Sequence, residues 1–531
     1  MKRLQFFLLG STALMMVAAC EPFPPSTQEE GQAFLAALET PTIPSDISRG
    51  GGISLNNFAR ILAASDEAVR AQALDVEIAR QTAASVGGAL EPELYFSINR
   101  RSETRQTSAE QLRASAVGSQ GTGRPNPYWS RTTDSRLGIE VNDRFGANYD
   151  LYYEIDRVAN SLQTPAALPQ PEFSSAIGAS ITVPLLRNAG EEFNNSSVEI
   201  AEIDQDIAIE TTRLVKADRA FEGVQAYILL QRAKERIGVR TESLRLTQSL
   251  ARQISSQVDA GLRDASELTS AQARVGEQRA ALVEAQQILN DQVGAFQVFF
   301  TALEGGSAQT WTTAESLSIP SSAYLNRGNF SNVEQAFARR PESRIYALRI
   351  EREEVLRLVA ENQALPEFNL RADVSKTSLS DAYVPFRSVF STNNPYQTWR
   401  VGFEYRRGLG GDVQERAEFR AALLREQQAE LTMQAYQQRI RSELQNIGSI
   451  VDRARQQVRE QQRIVTSNRS LLQTENNRSA DGGSSAIETL TRELELVAAR
   501  EAYGDAVAQL NLSSYLVSHV SGKLLNRLGI E

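Results

Sequence analysis

The sequence predicts an α+β membrane protein with an internal duplication, in which groups of β-strands are followed by long α-helical coiled-coil hairpins. Three observations predict this fold class: a pattern that recurs within the chain, strict alternation of apolar and polar residues in several segments, and long proline-free stretches with helical periodicity. An apolar amino-terminal segment also indicates that the chain is secreted. The alternating segments are therefore candidates for strands that cross a bilayer.

Two constant offsets define the duplication. At an offset of 274 residues, a helix and the Pro-Glu pair after it recur, so that Pro92 is repeated as Pro366. At an offset of 221 residues, Gly190 recurs as Gly411 together with eleven further positions and no gap. Loops tolerate insertions, whereas packed helices that must stay in register do not. The second offset therefore predicts a duplicated helical hairpin.

The first 19 residues have the order of a lipoprotein signal peptide. Two basic residues precede an apolar run from Leu4 to Ala19, which at about sixteen residues is short for a bilayer-spanning helix. Small residues then precede Cys20, the only cysteine of the chain, and this order resembles the lipobox of bacterial lipoproteins. We therefore predict a covalent lipid on Cys20, no other cofactor, and sorting to the outer membrane.

The chain divides into four parts. The segment after the signal peptide is rich in proline and ends in three consecutive glycines, which favours a flexible tether over a phosphate loop because no Lys-Ser/Thr pair follows. The predicted parts are the signal peptide at 1–19, the lipidated tether at 20–53, the first repeat at 54–330 and the second repeat at 331–531. The first repeat has strands with an insertion at about 101–172, a long hairpin at 191–303 and a linker, and the second has strands at 366–407 and a long hairpin at 412–525.

Each short helix leads into segments with the two-residue period of a strand. After Pro366, apolar residues from Phe368 to Val374 alternate with polar ones, and the return strand around Trp399 does the same. Charge on one face and aromatics on the other, over about nine to eleven residues, is typical of outer-membrane barrel strands. A soluble sheet packed on a core would alternate similarly, but the secretion signal favours the barrel. The insertion adds two alternating runs around Phe145, which are either extra membrane strands or a hairpin that extends beyond the membrane.

The long helical segments exceed the thickness of any bilayer. Residues 194–257 contain no proline, and their apolar residues recur in steps of three and four, which predicts a coiled-coil helix on the order of 95 Å long. The chain reverses at residues 259–262, and its copy reverses near residues 481–483. A lone hairpin of this length buries only a narrow stripe, so it needs neighbouring helices to complete a wall.

Composition excludes several classes of function. The 65 Asp and Glu residues outnumber the 56 Lys and Arg residues, so no basic field favours nucleic acid as a partner. The chain has one histidine, His519, and one cysteine, which cannot assemble a metal cluster, a Cys-His pair or a Ser-His-Asp triad. It also has no Walker-type nucleotide motif. We therefore predict a protein that is not an enzyme and that depends on a partner for energy.

Nearly all of the mature chain resembles the TolC-like outer membrane factors. The resemblance rests on Cys20, the two copies of a helix followed by a Pro-bounded strand, the run VPLLRNAG at 183–190, the turn Ala260-Gly261-Leu262 and the run RRPE at 339–342. It implies a homotrimer in which each protomer supplies strands to one shared transmembrane β-barrel and helices to one shared periplasmic α-barrel. The second repeat lacks the Pro-Leu pair at 406–411, and the first repeat has the long insertion. The resemblance therefore does not fix the number of strands that each protomer supplies.

The resemblance also implies a function. It indicates the exit duct of a tripartite efflux pump, lipid-anchored in the outer membrane with a periplasmic extension, and driven through a periplasmic adaptor protein by an inner-membrane pump or ABC exporter. Two alternatives remain open: the exit channel of a type I protein secretion system, and a non-conducting, lipid-tethered coiled-coil scaffold. The aromatic faces around Trp399 and Phe403 disfavour the scaffold, because a soluble sheet would need a matching apolar layer to cover them.

The candidate functional residues lie at the periplasmic turns. In a threefold assembly, Asp259, Asp264 and Asp481 would each provide three carboxylates around a narrow opening, which would favour cations as a gate. Acidic residues in exposed turns are also often simply solvated, so both interpretations stay open. By resemblance, the adaptor would dock on the turns; the candidate contacts are Ala260, Gly261, Leu262, Gly482 and Gly483.

Overall fold

A computed structural model describes most of the chain. The described residues are 51–108, 127–161, 171–303, 311–325, 332–380, 389, 395–480 and 486–530. The predicted signal peptide, Cys20, almost all of the predicted tether, and the second turn with Asp481, Gly482 and Gly483 lie outside the described residues.

The short strand β1 (Gly51–Ile53) ends the predicted tether and precedes the first repeat. The elements of the first repeat are α1 (Leu55–Ser65), α2 (Glu67–Gly87), β2 (Glu93–Arg105), β3 (Tyr128–Asn142), β4 (Asn148–Asn160), β5 (Glu172–Pro184), α3 (Glu191–Asp259), α4 (Ala265–Gln297) and β6 (Trp311–Thr313). The second repeat has the same order with fewer strands. Its elements are α5 (Val333–Arg339), α6 (Pro341–Gln363), β7 (Glu367–Ser380), β8 (Gln397–Arg406), α7 (Val413–Ala480), α8 (Ala486–Val520) and α9 (Leu524–Leu528).

The predicted fold class is confirmed. The two long helices have nearly equal lengths, with 69 residues in α3 and 68 residues in α7, as expected from the constant offset of 221 residues. Both helices start directly after a glycine turn, and Gly190 and Gly411 have φ values of 101° and 82°. The recurrence of glycine at these two positions has a conformational reason, because other residues rarely adopt positive φ. Within the part of the chain that the structure describes, no helix combines the length and apolar character needed to span a membrane.

The short helix of each repeat is broken at equivalent positions, which the sequence did not predict. In the first repeat, Asp66 ends α1 and accepts hydrogen bonds from the N–H groups of Ala68 and Val69 at the start of α2. The carboxylate of Asp66 also forms an ion pair with Arg219 of α3, with Nη2 and Oδ2 2.7 Å apart. The residue 274 positions later is Arg340, which precedes Pro341 and lies 3.2 Å from Glu443 of α7. Both breaks are therefore tied to a long helix by an ion pair, with the charges exchanged between the repeats.

The main aromatic core lies halfway along the molecule, beside the middle of α3. The buried aromatic residues are Phe58 of α1, Tyr227 of α3, Phe296 in the last turn of α4, and Phe300 just after α4. Phe300 stacks on Trp311 of β6 with the ring centroids 4.9 Å apart. The hydroxyl of Tyr227 donates a hydrogen bond to the carbonyl of Ile53 at 2.9 Å. Burial and then the nearby carboxylate of Glu315 raise the pKa of Tyr227 well above its usual range, so this donor stays protonated.

The end of the predicted tether differs from the expectation of flexibility. Gly51–Ile53 form the strand β1, which pairs in parallel with Trp311–Thr313 of β6. At Gly52, a Cβ atom would lie 2.8 Å from the Cα of Ala314, so only glycine permits this approach. The glycine run therefore serves close backbone packing at its carboxyl end.

Each long helix has different neighbours along its two halves. The half of α3 next to the sheet packs against α2 and α6, and the half next to the turn packs against α4 and α8. The helix α7 packs against α6 and then against α8. This arrangement provides the neighbours that a narrow apolar stripe requires. It also leaves α7 with fewer covered faces than α3.

The insertion lies within the larger sheet, between two strands of the first repeat. The six strands of this sheet in the described part of the chain are antiparallel and follow the order β2-β3-β4-β5-β7-β8. The second repeat contributes the pair β7 and β8, and the first contributes the corresponding β2 and β5 with the hairpin of β3 and β4 between them. The two runs predicted around Phe145 are therefore strands of this sheet. The chain reverses between them at Gly146, whose φ is 89°.

Candidate functional site

The larger sheet has one apolar and one polar face, which extend across all six strands. The register places Phe96 opposite Leu137, Ile139 opposite Leu151, and Val374 opposite Trp399. The apolar face also continues through the following residues: Leu94, Ile98, Tyr149, Tyr153, Ile177, Ile181, Leu370, Val401, Phe403 and Tyr405. Many of these side chains are exposed, including Trp399 and Phe403, and no second layer within the described residues covers them. An apolar face of this extent requires either a partner surface or lipid.

The polar face is organised by one arginine that joins three strands. Arg136 of β3 donates a hydrogen bond to the hydroxyl of Tyr95 on β2 at 3.0 Å and another to Asp150 on β4 at 2.6 Å. The Tyr95 hydroxyl in turn donates to Asp150 at 2.8 Å. The guanidinium of Arg136 also lies 4.0 Å from the centre of the Tyr152 ring. These contacts hold β2, β3 and β4 in register on the face that carries the charge.

Two tyrosine rings of this network lie over glycines of the neighbouring strand. A Cβ atom at Gly138 would lie 2.5 Å from the Tyr95 ring, and one at Gly178 of β5 would lie 2.6 Å from the Tyr152 ring. Glycine is therefore required on the polar face at both positions, because the rings lie flat across the strand. The lateral contacts thus continue from β2 through the inserted hairpin to β5.

The inserted hairpin makes its part of the polar face acidic. Asp134 lies directly opposite Asp156, and Glu154 is the next residue of β4 on the same face. Directly opposed like charges destabilise a strand pair, so this arrangement is not explained by the stability of the sheet. Ser174 of β5 donates a hydrogen bond to Asp156 at 3.2 Å, and Arg136 lies 4.0 Å from Glu154. The charge on this face would be felt by any ion that passes along it.

The junction between the sheet and the helices is held by Arg187. Its Nε and Nη2 atoms donate hydrogen bonds to the carbonyl oxygen of Gln363 at 2.9 and 2.5 Å, at the carboxyl end of α6. A cation there also compensates the partial negative charge of the helix end. The same guanidinium lies 3.3 Å from Glu415 in the first turn of α7. One residue of the run at 183–190 therefore connects the first repeat to two helices of the second.

The chain reverses between α3 and α4 at Gly261. Gly261 has a φ of 73°, and its N–H donates to the carbonyl of Val258 at 2.9 Å while that of Leu262 donates to Gln257 at 2.8 Å. These two bonds define a Schellman motif, which needs glycine at this position. Buried Ile254 and Ala271 join the two helices just before the turn.

The candidate gate and adaptor residues of this turn are all on the surface. Asp259 is the last residue of α3, and Asp264 directly precedes α4 without capping it through its side chain. Asp259, Ala260, Gly261, Leu262 and Asp264 are all exposed, and Leu262 is an apolar side chain at the tip. The structure thus brings the first-turn candidates together at one end of the molecule, whereas Asp481, Gly482 and Gly483 lie outside the described residues.

The only histidine has a packing role. The His519 ring stacks on Phe221 with the centroids 4.9 Å apart, and its Nε2 atom lies 3.3 Å from Asp218. Burial, and then the positive charge of Arg340, lower the pKa of His519, so the ring is neutral at pH 7. Among the residues described, no group of His, Cys, Asp and Glu side chains has the arrangement of a metal site.

The fold matches that of solved outer membrane channels. No protein-family model and no curated protein sequence matches the chain. The CusC structure, described in terms of folding and transmembrane channel formation, has a TM-score of 0.60 at 16% identity and is matched over 92% of this chain and 98% of CusC. The Campylobacter jejuni CmeC outer membrane channel has a TM-score of 0.59 at 13% identity, over 92% of this chain and 91% of CmeC. The open state of the Neisseria gonorrhoeae MtrE outer membrane channel has a TM-score of 0.59 at 13% identity, over 92% and 98%.

The chain therefore has the fold of these outer membrane channels, and the resemblance noted in the sequence is confirmed at the level of fold. The solved structures with which it shares this fold are described as channels, which agrees with the lack of catalytic motifs in the sequence. Sequence reasoning missed the network around Arg136 and the junction at Arg187. The recurring glycines on polar strand positions, Gly138 and Gly178, were the signal that could have indicated rings lying across the sheet.

Proposed function

We propose that the protein is a homotrimeric outer-membrane channel that serves as the passive exit duct of a tripartite efflux pump. The observation that carries this proposal is the relation between the two repeats. Within one chain, the repeats join side by side through a strand pair and packed helices. The outer edges of the same chain present equivalent surfaces that remain exposed. Further copies of the chain can therefore pack against these edges in the same way as the two repeats pack against each other.

The internal joint provides the template for contacts between protomers. Leu348 of α6 is 2% exposed and lies in one buried cluster with Ile203 of α3, which is 5% exposed. The counterpart of Leu348 at the offset of 274 is Leu74 on α2, which is 38% exposed. The counterpart of Ile203 at the offset of 221 is Leu424 on α7, which is 66% exposed. Leu74 of one protomer therefore matches Leu424 of the next.

A charged contact repeats the same relation nearer to the tip. Arg232 of α3 is buried and its Nε atom lies 2.7 Å from Asp505 of α8. The counterparts at the offset of 221 are Arg453 on α7 and Glu284 on α4, and both are exposed. An arginine on the long helix and a carboxylate on the returning helix are therefore present in both repeats. A pair between Arg453 and Glu284 of the neighbouring protomer would complete the joint.

The edges of the sheet are also compatible with a closed ring. The strands β2 and β8 lie at opposite edges, and because six antiparallel strands alternate in direction, they run in opposite directions. The β8 edge of one copy can therefore pair with the β2 edge of the next in antiparallel fashion. Closure removes both unpaired edges and places the apolar face outside, towards lipid. This supports a membrane barrel over a scaffold whose sheets stay in the periplasm.

A cysteine pair at the proposed joint tests the ring. We expect Leu74→Cys combined with Leu424→Cys to form disulfide-linked dimers and trimers in cells, because the two positions meet only between protomers. Non-reducing gels of isolated outer membranes would show the ladder. Leu74→Cys with Glu426→Cys is the matched control, since Glu426 faces Arg357 of its own chain at 2.8 Å. Equal cross-linking in both pairs, or none in either, would contradict the ring.

The turn at the far end of the helices would face the periplasm. We propose that Asp259, Asp264 and Asp481 form the entrance and that Gly261, Leu262 and the equivalent second turn receive a periplasmic adaptor, which couples the duct to an inner-membrane transporter. The exposed Leu262 side chain supports a docking surface at this end.

We further propose that Cys20 carries a covalent lipid. Cells that express the Cys20→Ser variant should then incorporate no labelled fatty acid into the protein, and incorporation into this variant would disprove the proposal.

Ion selectivity tests the gate. Purified trimers in planar bilayers should pass cations in preference to anions, and Asp264→Asn together with Asp481→Asn should reduce that preference by removing six carboxylates from the entrance of a trimer. Reversal potentials in a salt gradient measure the effect. Asp291→Asn, at an exposed position of α4 far from the turn, is the control for charge alone. If the double variant keeps its selectivity while Asp134→Asn with Asp156→Asn loses it, the selective region is the barrel and not the tip.

A further inference from the structure

The inserted hairpin, formed by β3 and β4, lies between two strands whose counterparts in the second repeat pair directly with each other. In the second repeat, β7 pairs directly with β8. In the first repeat, the equivalent strands β2 and β5 are separated by β3 and β4, which pair with them along most of their lengths. The contact from β2 to β3 extends from Glu93 to Arg105, and that from β4 to β5 extends from Asn148 to Val158.

The hairpin is also matched to both neighbours by its side chains. On the apolar face, Ile139 and Leu151 connect Leu94 of β2 to Ala179 of β5 in one row across the sheet. On the polar face, Arg136 joins β2 to β4, and the ring of Tyr152 lies over Gly178 of β5. A hairpin that projected from the wall would not need side chains that continue both faces of the sheet.

We infer that the insertion is a wall segment that widens the barrel, so that each protomer supplies six strands and the trimer closes an eighteen-stranded barrel. This rests on the proposed trimer. The two repeat pairs alone would give twelve strands. With strands spaced about 4.8 Å apart and tilted by about 40°, the backbone diameter rises from about 24 Å to about 36 Å. The insertion thus makes the exit half as wide again and admits bulkier solutes than the duplicated unit would.

A wide barrel also accounts for the acidic residues of the hairpin. A barrel of this size is too wide to be filled by its own side chains, so its polar face borders water. Asp134, Glu154 and Asp156 then line an aqueous passage, where neighbouring carboxylates are hydrated and their repulsion is moderate. The wider exit would accordingly favour neutral or cationic solutes over anionic ones of the same size.

Electron cryomicroscopy of the full-length trimer in lipid nanodiscs tests the strand number directly. Six strands per protomer in a closed wall, with β3 paired to β2 and β4 paired to β5, is the expected result. A closed ring in which β2 pairs with β5 and the hairpin projects from it would overturn the inference and leave the proposed channel intact. Absence of any ring would overturn both, and the cysteine pair at Leu74 and Leu424 identifies that case independently.

Polymer exclusion tests the width. Deleting Tyr128–Asn160 should lower the radius of the largest polyethylene glycol that enters the pore from the side of the sheet by at least about a third. The backbone circumference scales with strand number, and the lining side chains take up the same depth in both barrels. Deleting residues 109–126, which precede β3 in the sequence, is the control and should leave this limit unchanged. An unchanged limit in a hairpin deletion that still forms trimers would overturn the inference, and if that variant does not fold, the strand count of the wild type decides.

Discussion

Replacing Phe58 by alanine is expected to lower the free energy of unfolding by about 3–5 kcal/mol. Phe58 is buried, and its ring centroid lies 4.8 Å from that of Phe296, 5.4 Å from that of Phe300, 5.8 Å from that of Phe299 and 6.2 Å from that of Tyr227. These rings are fixed by α3 and by the end of α4, so they cannot close the cavity that alanine leaves. Thermal unfolding of the purified protein in detergent, followed by helical circular dichroism, measures the loss.

Two further variants separate the cavity from other effects. Phe58→Leu keeps part of the volume and should cost less than Phe58→Ala. Phe145→Ala, in the exposed turn between β3 and β4, should change stability by no more than about 0.5 kcal/mol. A loss at Phe58 no larger than the loss at Phe145 would show that the central aromatic cluster does not stabilise the fold.

This aromatic cluster illustrates what the sequence could not predict. Phe58, Phe296 and Trp311 are far apart in the chain, and no periodicity shows which apolar stripe packs on which other stripe. The strand β1 has only three residues, two of them glycines, so it carries no alternation that could reveal its pairing with β6. The helix break at Asp66 was also missed, because the apolar periodicity of the helix continues across it.

The features that were predicted are those that repeat or alternate along the chain. The helical hairpins, the turn at Gly261, and the two faces of β7 and β8 follow from periods of seven and two residues and from the constant offset. The insertion was recognised as two alternating runs, but its place in the sheet depends on long-range pairing. For the same reason, the position of Asp264 at the tip was predictable, whereas the contacts of Arg136 and Arg187 with other strands and helices were not.

The constant length of the long helices leads to the second large effect. Deleting seven residues from α3 alone, Arg232–Gly238, should shift the rest of this helix by about 10 Å relative to its neighbours. Ser243 would then lose its hydrogen bond to Gln278 of α4, and Ile254 would lose its contact with Ala271. The turn could no longer form with both helices in register. We expect no stable trimers on semi-native gels and no export of a toxic dye.

A single substitution controls for the charged contact that this deletion removes. Arg232 lies 2.7 Å from Asp505 and donates a hydrogen bond to the carbonyl of Glu501 at 2.7 Å, so the deletion also breaks a link between α3 and α8. Arg232→Met removes the charge but keeps the length of the helix. It should weaken the proposed trimer without abolishing it, because Arg236 and Arg240 still reach Glu501, at 3.4 and 2.6 Å. Equal damage from the substitution and the deletion would assign the effect to the ion pair.

A matched deletion separates length from register. Removing one heptad from each of α3, α4, α7 and α8, with every seam kept in phase, shortens the helical wall by about 10 Å while retaining the contacts between neighbouring helices. We expect these trimers to assemble and to form pores in planar bilayers. Export in cells should nevertheless fail, because an adaptor of unchanged length would no longer meet the tip at Gly261 and Leu262. If the deletion in α3 alone assembles and exports normally, the two hairpins do not stand side by side in one wall, and the nearly equal lengths of α3 and α7 reflect only their common origin.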